Sequence, residues 1–331
     1  MFVWRGLELI KKEGYFGFIV PDRLANNLQF KNLRKEILTN RTIKSLWFRP
    51  EFEGVISDNM IFAIQNKVPN KKSKIKIAVY PSTEFKEISK EEYLKSENLS
   101  WTIVDTELKN IFDRIKEETD VFELSEKFKT KVGFIAKQGK VTENKSGEQI
   151  KVFKGRNILR YRMLGNYYFD FKKSNLAGGT QDKEKLSKKN KVFLRKTGNK
   201  IISSFDGSST YPEQSVYFVY TNEKNDKGKL KILCAILNSK LMQSYYWNFA
   251  VTNKDSTPQL KRVDLNRFPI KLPSSIQAKK IKELVERIMQ FHKEGKSEQD
   301  IKNVDYEIDQ EIYKLYGLTK EEIKIIEESL R

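Results

Sequence analysis

Apolar positions near the start of the chain fall first at helical spacing and then in a solid block. RGLELIKKE (residues 5–13) reads as the end of an amphipathic helix, Gly14 closes it, and YFGFIV (Tyr15–Val20) is an almost wholly apolar run stopped by Pro21. That is the pattern of a helix, a glycine stop and a buried strand. Helical spacing returns in FKNLRKEILTN through Leu33, Ile37 and Leu38, and TIKSLWF and NMIFAIQNK supply two strand-like segments on either side of a glycine-bearing loop. Short strands alternating with helices indicate the α/β class. About three strands in the first 80 residues are too few for a self-standing doubly wound sheet, which runs to about five or six. Residues 1–80 are therefore expected to be one portion of a domain.

Residues 81–126 are charged and mainly helical and read as a connector. A series of short β-rich pieces follows, VGFIAK, VFKGRNILRY, NYYFDF, KVFLRKTG and QSVYFVY (214–220), broken by Gly, Asn and Lys, as in a compact, mostly-β module. LKILCAILNSKLMQSYYWNFA places Leu230, Leu233, Ile236, Leu237 and Leu241 on one helical stripe, so one long packing helix is expected there. Residues 127–275 form the β-rich portion on this reading. Residues 276–331 form further helices, with Gly317 ending one and Thr319 opening the next, Glu322 three residues on, as in a capping box.

Charge sharpens this division. The 331 residues carry 63 Lys+Arg against 44 Asp+Glu, a formal net charge of +19, while 38% of positions are hydrophobic and 12% aromatic. A folding sequence with this excess points to a polyanionic partner. Between Lys127 and Lys200 there are 21 Lys+Arg and 5 Asp+Glu, so most of the excess sits in one segment. Phosphates attract such a segment without regard to base sequence. Reading bases takes forked donors or amides on a rigid support, and Arg156, Asn157, Arg195 and Lys196 lie in loops beside glycines that let backbone approach closely. Lys183, Lys185, Lys188, Lys189 and Lys191 read more plainly as a solvated loop. Tyr161, Tyr167, Tyr168 and Phe169 could stack on bases, but alternation assigns most of them to a core.

Other chemistries have little to stand on. One cysteine, Cys234, and one histidine, His292, exclude Cys/His zinc sites, disulfide frameworks and paired catalytic histidines, and no metal site is expected. Neither G-x-x-x-x-G-K-[ST] nor G-x-G-x-x-G occurs, which excludes an autonomous P-loop nucleotidase. Glu84-Phe85-Lys86 and Glu126-Lys127 are only fragments of a nuclease-type acidic site. No membrane span or secretory signal is apparent, and a soluble, cytoplasmic protein is expected.

Several segments, in order, resemble the adenine-N6 DNA methyltransferases of the TaqI-like and type IIG restriction-modification kind. GLELIKKEGYFGFIVPDRL, LRKEILTNRTIKSLWF and FEGVISDNMIFAIQNK are similar to the late half of the methyltransferase domain. KVFKGRNILRY, FLRKTGNKI, QSVYFVYTN, ILCAILNSKLMQSYYW and DLNRFPIKLP are similar to the target-recognition domain, and IDQEIYKLYGLTKEEIKIIEES to the family's helical ending. The resemblance implies an α/β plus α+β chain: an incomplete Rossmann-like methyltransferase sheet, then a mixed, β-rich target-recognition domain and C-terminal helices. The family holds S-adenosylmethionine on a glycine-containing loop and the flipped adenine on an [N/D/S]-P-P-[Y/F/W] segment. This chain has no Pro-Pro dipeptide and begins where the family has passed both sites.

The expectation is thus sequence-specific binding of double-stranded DNA, with no catalytic or cofactor-binding residues in this chain, S-adenosylmethionine belonging to the complete enzyme, and no activity in isolation. Lys154, Arg160, Lys172 and Lys200 would hold phosphates while Arg156, Asn157, Arg195 and Lys196 read bases. The cut sheet edge would call for a separate methyltransferase half or for self-association. The rival expectation is an assembly subunit that completes a partner protein, its lysines reflecting a lysine-rich proteome.

Overall fold

A computed structural model describes residues 2–53, 59–70, 72–101, 106–223, 226–252 and 257–330. Gly54, in the loop read between TIKSLWF and NMIFAIQNK, and residues 253–256 lie outside the described residues. The chain divides into two units, residues 1–103 and 104–331.

The first unit contains α1 (Phe2–Leu9), β1 (Tyr15–Pro21), α2 (Arg23–Asn26), α3 (Lys31–Asn40), β2 (Thr42–Phe48), β3 (Asn59–Gln65), β4 (Lys74–Val79), β5 (Lys86–Ser89) and α4 (Lys90–Lys95). The strands form one sheet in the order β1-β3-β2-β4-β5. β3 runs antiparallel to both neighbours, β2 is parallel to β4, and β5 returns antiparallel. The start of the stretch read as a connector thus contributes here: β5 and α4 belong to this unit. The expected stripe holds, since Leu33, Ile37 and Leu38 of α3 are buried. Arg34 on the same face is buried too, and donates to the carbonyls of Leu24, Asn27, Asn98 and Leu99 at 2.7–3.0 Å. Burial pushes its guanidinium down to about 10, and the four carbonyls satisfy a cation that has been taken out of water. β1 differs from the buried strand that its apolar run suggests: Val20 is buried, whereas Tyr15, Phe18 and Ile19 are exposed.

The second unit begins with α5 (Thr106–Glu117), β6 (Val121–Glu123), α6 (Leu124–Lys127), β7 (Lys129–Val132), β8 (Phe134–Ala136), β9 (Val141–Thr142), β10 (Ile150–Phe153), β11 (Ile158–Leu159), β12 (Arg162–Met163), β13 (Tyr167–Phe169) and β14 (Leu176–Gly179). It continues with α7 (Lys183–Leu186), β15 (Lys191–Arg195), β16 (Ser203–Asp206), β17 (Tyr211–Pro212), β18 (Val216–Tyr220), α8 (Lys227–Asn238), α9 (Lys240–Tyr245), β19 (Val251–Thr252), β20 (Gln259–Leu260), α10 (Arg262–Asn266), β21 (Pro269–Lys271), α11 (Ser275–Glu294), α12 (Glu298–Leu315) and α13 (Lys320–Glu328). Together the two units make a mixed α/β chain with several small sheets, two of four strands in this unit: β16-β15-β18-β7 and β17-β10-β13-β9.

The first of these small sheets is buried on both faces, and its period-2 alternation sorts side chains into two cores. Val192, Leu194, Tyr217 and Val219 join the core built on α8 and the C-terminal helices. Phe193, Val216, Phe218 and Tyr220 join Phe134, Phe153 and Phe169 on the opposite face. Because α8, α11, α12 and α13 share one core with β15 and β18, residues 276–331 are built into the same body as the sheet. Tyr161, Tyr167 and Phe169 are buried, so the aromatic interleaving serves packing.

The single long helix expected after Leu230 is broken at Ser239, whose backbone is extended. The reason is polar. Asn238 spends its amide on the backbone of Ser203, accepting from its N–H at 2.9 Å and donating to its carbonyl at 3.0 Å. Ser239 then caps α9 by accepting from Met242 N.

Candidate nucleic-acid interface

Three segments of the basic portion converge on Ser215. Gly155 N donates to Ser215 Oγ at 2.8 Å, and Lys196 N, just past the end of β15, donates to Ser215 O at 3.2 Å. Glu213 N donates to Phe153 O at 2.9 Å. A side chain at Gly155 would place its Cβ 3.0 Å from Ser215 O, so a glycine lets these two backbones pack closely. The loop after β15 is pinned in turn to the strand that precedes α10: Gly198 N donates to Pro258 O and Leu260 N to Lys196 O, both at 2.9 Å.

Arg156 stands exposed on this platform. Lys196 is half-buried, its ammonium 5.6 Å from the centre of the Tyr217 ring. Lys154 is half-buried over Tyr167 at 4.3 Å. Lys200 is exposed in the loop after β15. Cations lying over ring faces keep their charge while their stems are held. Lys172 lies farther along the chain, exposed but paired to Asp170 at 2.9 Å.

Three expected contact residues bond to the protein's own backbone. Asn157 is 5% exposed; its Oδ1 accepts from Lys154 N at 2.7 Å and its Nδ2 donates to Leu164 O at 2.8 Å. With both ends of its buried amide bonded to backbone, Asn157 shapes the turn that presents Arg156. Arg195 donates from Nε to Ile158 O at 2.7 Å, and burial lowers its basicity; it fastens the β11–β12 hairpin to the sheet. Arg160 donates from Nη2 to both oxygens of Asp305 at 2.5 and 2.6 Å, and from Nη1 to Asn238 O at 2.5 Å. It is a clamp between the hairpin and the helices. The lysine loop also departs from expectation at Lys191, which is buried against Asp206. Lys185 remains an exposed partner of Asp182.

The Arg160 clamp carries a titratable companion. Asp309 of α12 accepts from Lys240 N at 2.8 Å, stabilising the start of α9. Burial pushes its carboxyl up to about 7, with the charge of Asp305 adding, while the Lys240 N–H bond, Arg160 and the Lys240 charge pull the other way. The native chain therefore keeps a proton that the unfolded chain releases near the ordinary carboxylate range, about pH 4. This group's contribution to stability is greatest below that range and falls as pH rises toward about 7. Asp309→Asn keeps an acceptor for Lys240 N without a buried charge. Its stability relative to the wild type is expected to improve from pH 5 to about pH 7 and to level off above that in urea unfolding, and an advantage independent of pH would contradict the assignment.

Residues 150–270 match the TaqI-like C-terminal specificity domain, and residues 1–52 match the Eco57I restriction-modification methylase. The match to a specificity domain thus falls on the basic, β-rich unit, and the match to a methylase on the first unit. It is 27% identical over 297 residues to a protein of Methanocaldococcus jannaschii named as a type II restriction enzyme and methyltransferase, RM.MjaORFECS2P, covering 83% of this chain and 25% of that protein. In fold it is similar to the type IIL restriction-modification enzyme MmeI, solved in complex with DNA. The TM-score is 0.60 at 10% identity, over 95% of this chain and 49% of that one. The chain thus spans a quarter of the length of the curated relative it matches. No described helix is long and apolar enough to cross a membrane.

Proposed function

We propose that this chain binds double-stranded DNA as the target-recognition portion of an adenine-N6 DNA methyltransferase of the type IIG restriction-modification kind. The observation that carries the reading is the convergence at Ser215 of three backbone-pinned segments presenting Arg156 and Lys196, inside the stretch that matches a specificity domain. The DNA bound to MmeI supports the same partner here. On this reading Arg156 and Lys196 face base edges, while Lys154, Lys200 and the outlying Lys172 neutralise phosphates.

The first unit supports the methyltransferase part. An antiparallel β3 inserted between β1 and β2, which share a direction, suits the last strands of a Rossmann-like methyltransferase sheet. S-adenosylmethionine, which the reading implies, does not fit the described residues of this unit. No glycine lies within four residues after β1, β2, β3 or β4, and Leu24 and Ala25, which follow β1, are buried in the core. Cofactor binding and the adenine chemistry are therefore assigned to the rest of a complete enzyme. Among the described residues β1 pairs on one side alone, and Phe2, at 80% exposure, together with Trp4, Leu9, Tyr15 and Ile19, leaves apolar surface on α1 and β1 open to water. A separate methyltransferase half is the occupant this reading calls for, with self-association of the chain as the alternative.

The test is duplex binding by charge variants. Removing one lysine–phosphate interaction should lower the slope of log affinity against log salt by about 0.9. Lys154→Ala and Lys200→Ala are each expected to flatten the slope by about that amount, and Arg156→Ala to weaken sequence preference in competition between duplexes. Unchanged slopes and preference in all three would refute the assignment.

A further inference from the structure

The platform at Ser215 presents one further side chain, which the sequence pattern hides within an apolar strand. Gln214 is exposed, between a buried Glu213 and a half-buried Ser215. The backbone on both sides of it is fixed. The Glu213 carboxylate, 7% exposed, accepts from Ser215 N at 3.1 Å and from Ser215 Oγ at 2.7 Å. Val216 N donates to Glu213 O at 2.9 Å, and Gly133 N donates to Val216 O at 3.0 Å. Gly133 itself lies so close beneath the turn that a Cβ there would fall 2.2–2.3 Å from the carbonyl oxygens of Pro212 and Glu213. A buried carboxylate spent on its own turn, and a glycine pressed against that turn, fix the backbone that carries the exposed Gln214. Loops are ordinarily the most mobile part of a fold; here the restraint serves whatever Gln214 presents.

We infer that Gln214 is a specificity-determining residue, reading an adenine by a paired hydrogen bond from its clamped turn beside Arg156 and Lys196. The inference deepens the proposed function and rests on it. A glutamine amide offers one donor and one acceptor in a plane, which matches N7 and the N6 amino group of adenine in the major groove, whereas the neighbouring Arg156 fork matches O6 and N7 of guanine. Discrimination of this kind requires a support that does not yield, because a loosely held amide can turn over and pair with another base edge. Glu213, Ser215 and Gly133 supply that support.

The experiment selects preferred duplexes from a randomised library with the wild type, then measures binding to the selected duplex and to single-base variants of it. In Gln214→Ala the preference at one adenine position is expected to fall by about 5- to 150-fold, the equivalent of one paired contact. The salt slope should stay unchanged, because no charge is removed. Gln214→Glu, which can only accept, is expected to lose adenine at that position and favour a cytosine amino group. Matching thermal unfolding midpoints show that the exposed substitution leaves the fold intact. Retention of the full wild-type preference by Gln214→Ala overturns the inference while leaving the proposed function standing. Duplex binding by the wild type without any base preference also overturns the inference, and absence of duplex binding at low salt overturns the proposed function with it.

Discussion

Lys191→Ala is expected to lower folding stability by about 3–5 kcal/mol, a large share of the roughly 5–15 kcal/mol that holds an ordinary domain folded. Lys191 is completely buried at the start of β15, and Asp206, 3% exposed, pairs with it from β16 at 3.3 Å. The ammonium also donates to Lys188 O at 2.6 Å and to Ser208 O at 3.3 Å. Asp206 Oδ1 is satisfied by Ser208, through its N–H at 2.9 Å and its hydroxyl at 2.6 Å, but among the described residues Oδ2 has no hydrogen-bond partner and depends on the nearby cation. Removing the lysine strands a buried charge. Burial already pulls the Lys191 ammonium below its usual range, with Asp206 opposing, so the pair sits near the balance between desolvation and attraction. Lys191→Ala combined with Asp206→Ala should therefore recover part of the loss. Urea midpoints of the four chains in the cycle give the coupling, and strictly additive losses would show that the two groups do not depend on one another.

Arg160→Ala is expected to cost about 2–3 kcal/mol, less than a fully enclosed pair because about a third of each partner's side chain stays open to water. The loss has two sources. Asp305 is left without its forked partner, and Asn238 O, at the end of α8 where the helix leaves carbonyls unpaired, loses its Nη1 donor. Duplex affinity per folded molecule should be unchanged, since the guanidinium is turned into the protein. Lowered stability with full affinity confirms a clamp, whereas wild-type stability with a reduced salt slope would return Arg160 to the phosphate ligands.

What the sequence makes legible is local. The stripe of Leu33, Ile37 and Leu38, the packing of Leu230 to Leu241, and the capping box in which Thr319 and Glu322 exchange bonds at 2.9 and 3.2 Å all follow from spacing. So does Gly317, at φ +60. The failures are long-range. Nothing near Arg160 announces Asp305, 145 positions away. Nothing in a lysine-rich loop marks Lys191 as the one that meets Asp206 across a strand pair. The break at Ser239 lies inside a clean apolar stripe because its cause, Asn238 bonding to Ser203, comes from another element. The first strand reads as buried by composition, yet it stands at a sheet edge, a property of topology rather than of period.

The candidate interface divides in the same way. Charge density marks the segment, but charge does not distinguish cations that face solvent, as Arg156 and Lys200 do, from those that bond to the protein's own carbonyls, as Arg160 and Arg195 do. Gln214 was absorbed into QSVYFVY because Val216–Tyr220 is a true strand. The signal for its turn is the spacing of Glu213 and Ser215, a carboxylate two residues before the N–H that it accepts.

The central claim, that the basic β-rich unit exists to grip duplex DNA, is tested most directly by equilibrium binding of the wild-type chain to a mixed-sequence duplex across a salt series from about 50 to 200 mM. With several phosphates neutralised, affinity should fall by roughly two or more orders of magnitude over that range. A flat response, or no binding at the lowest salt, would contradict the claim and favour a chain whose work is to complete another protein.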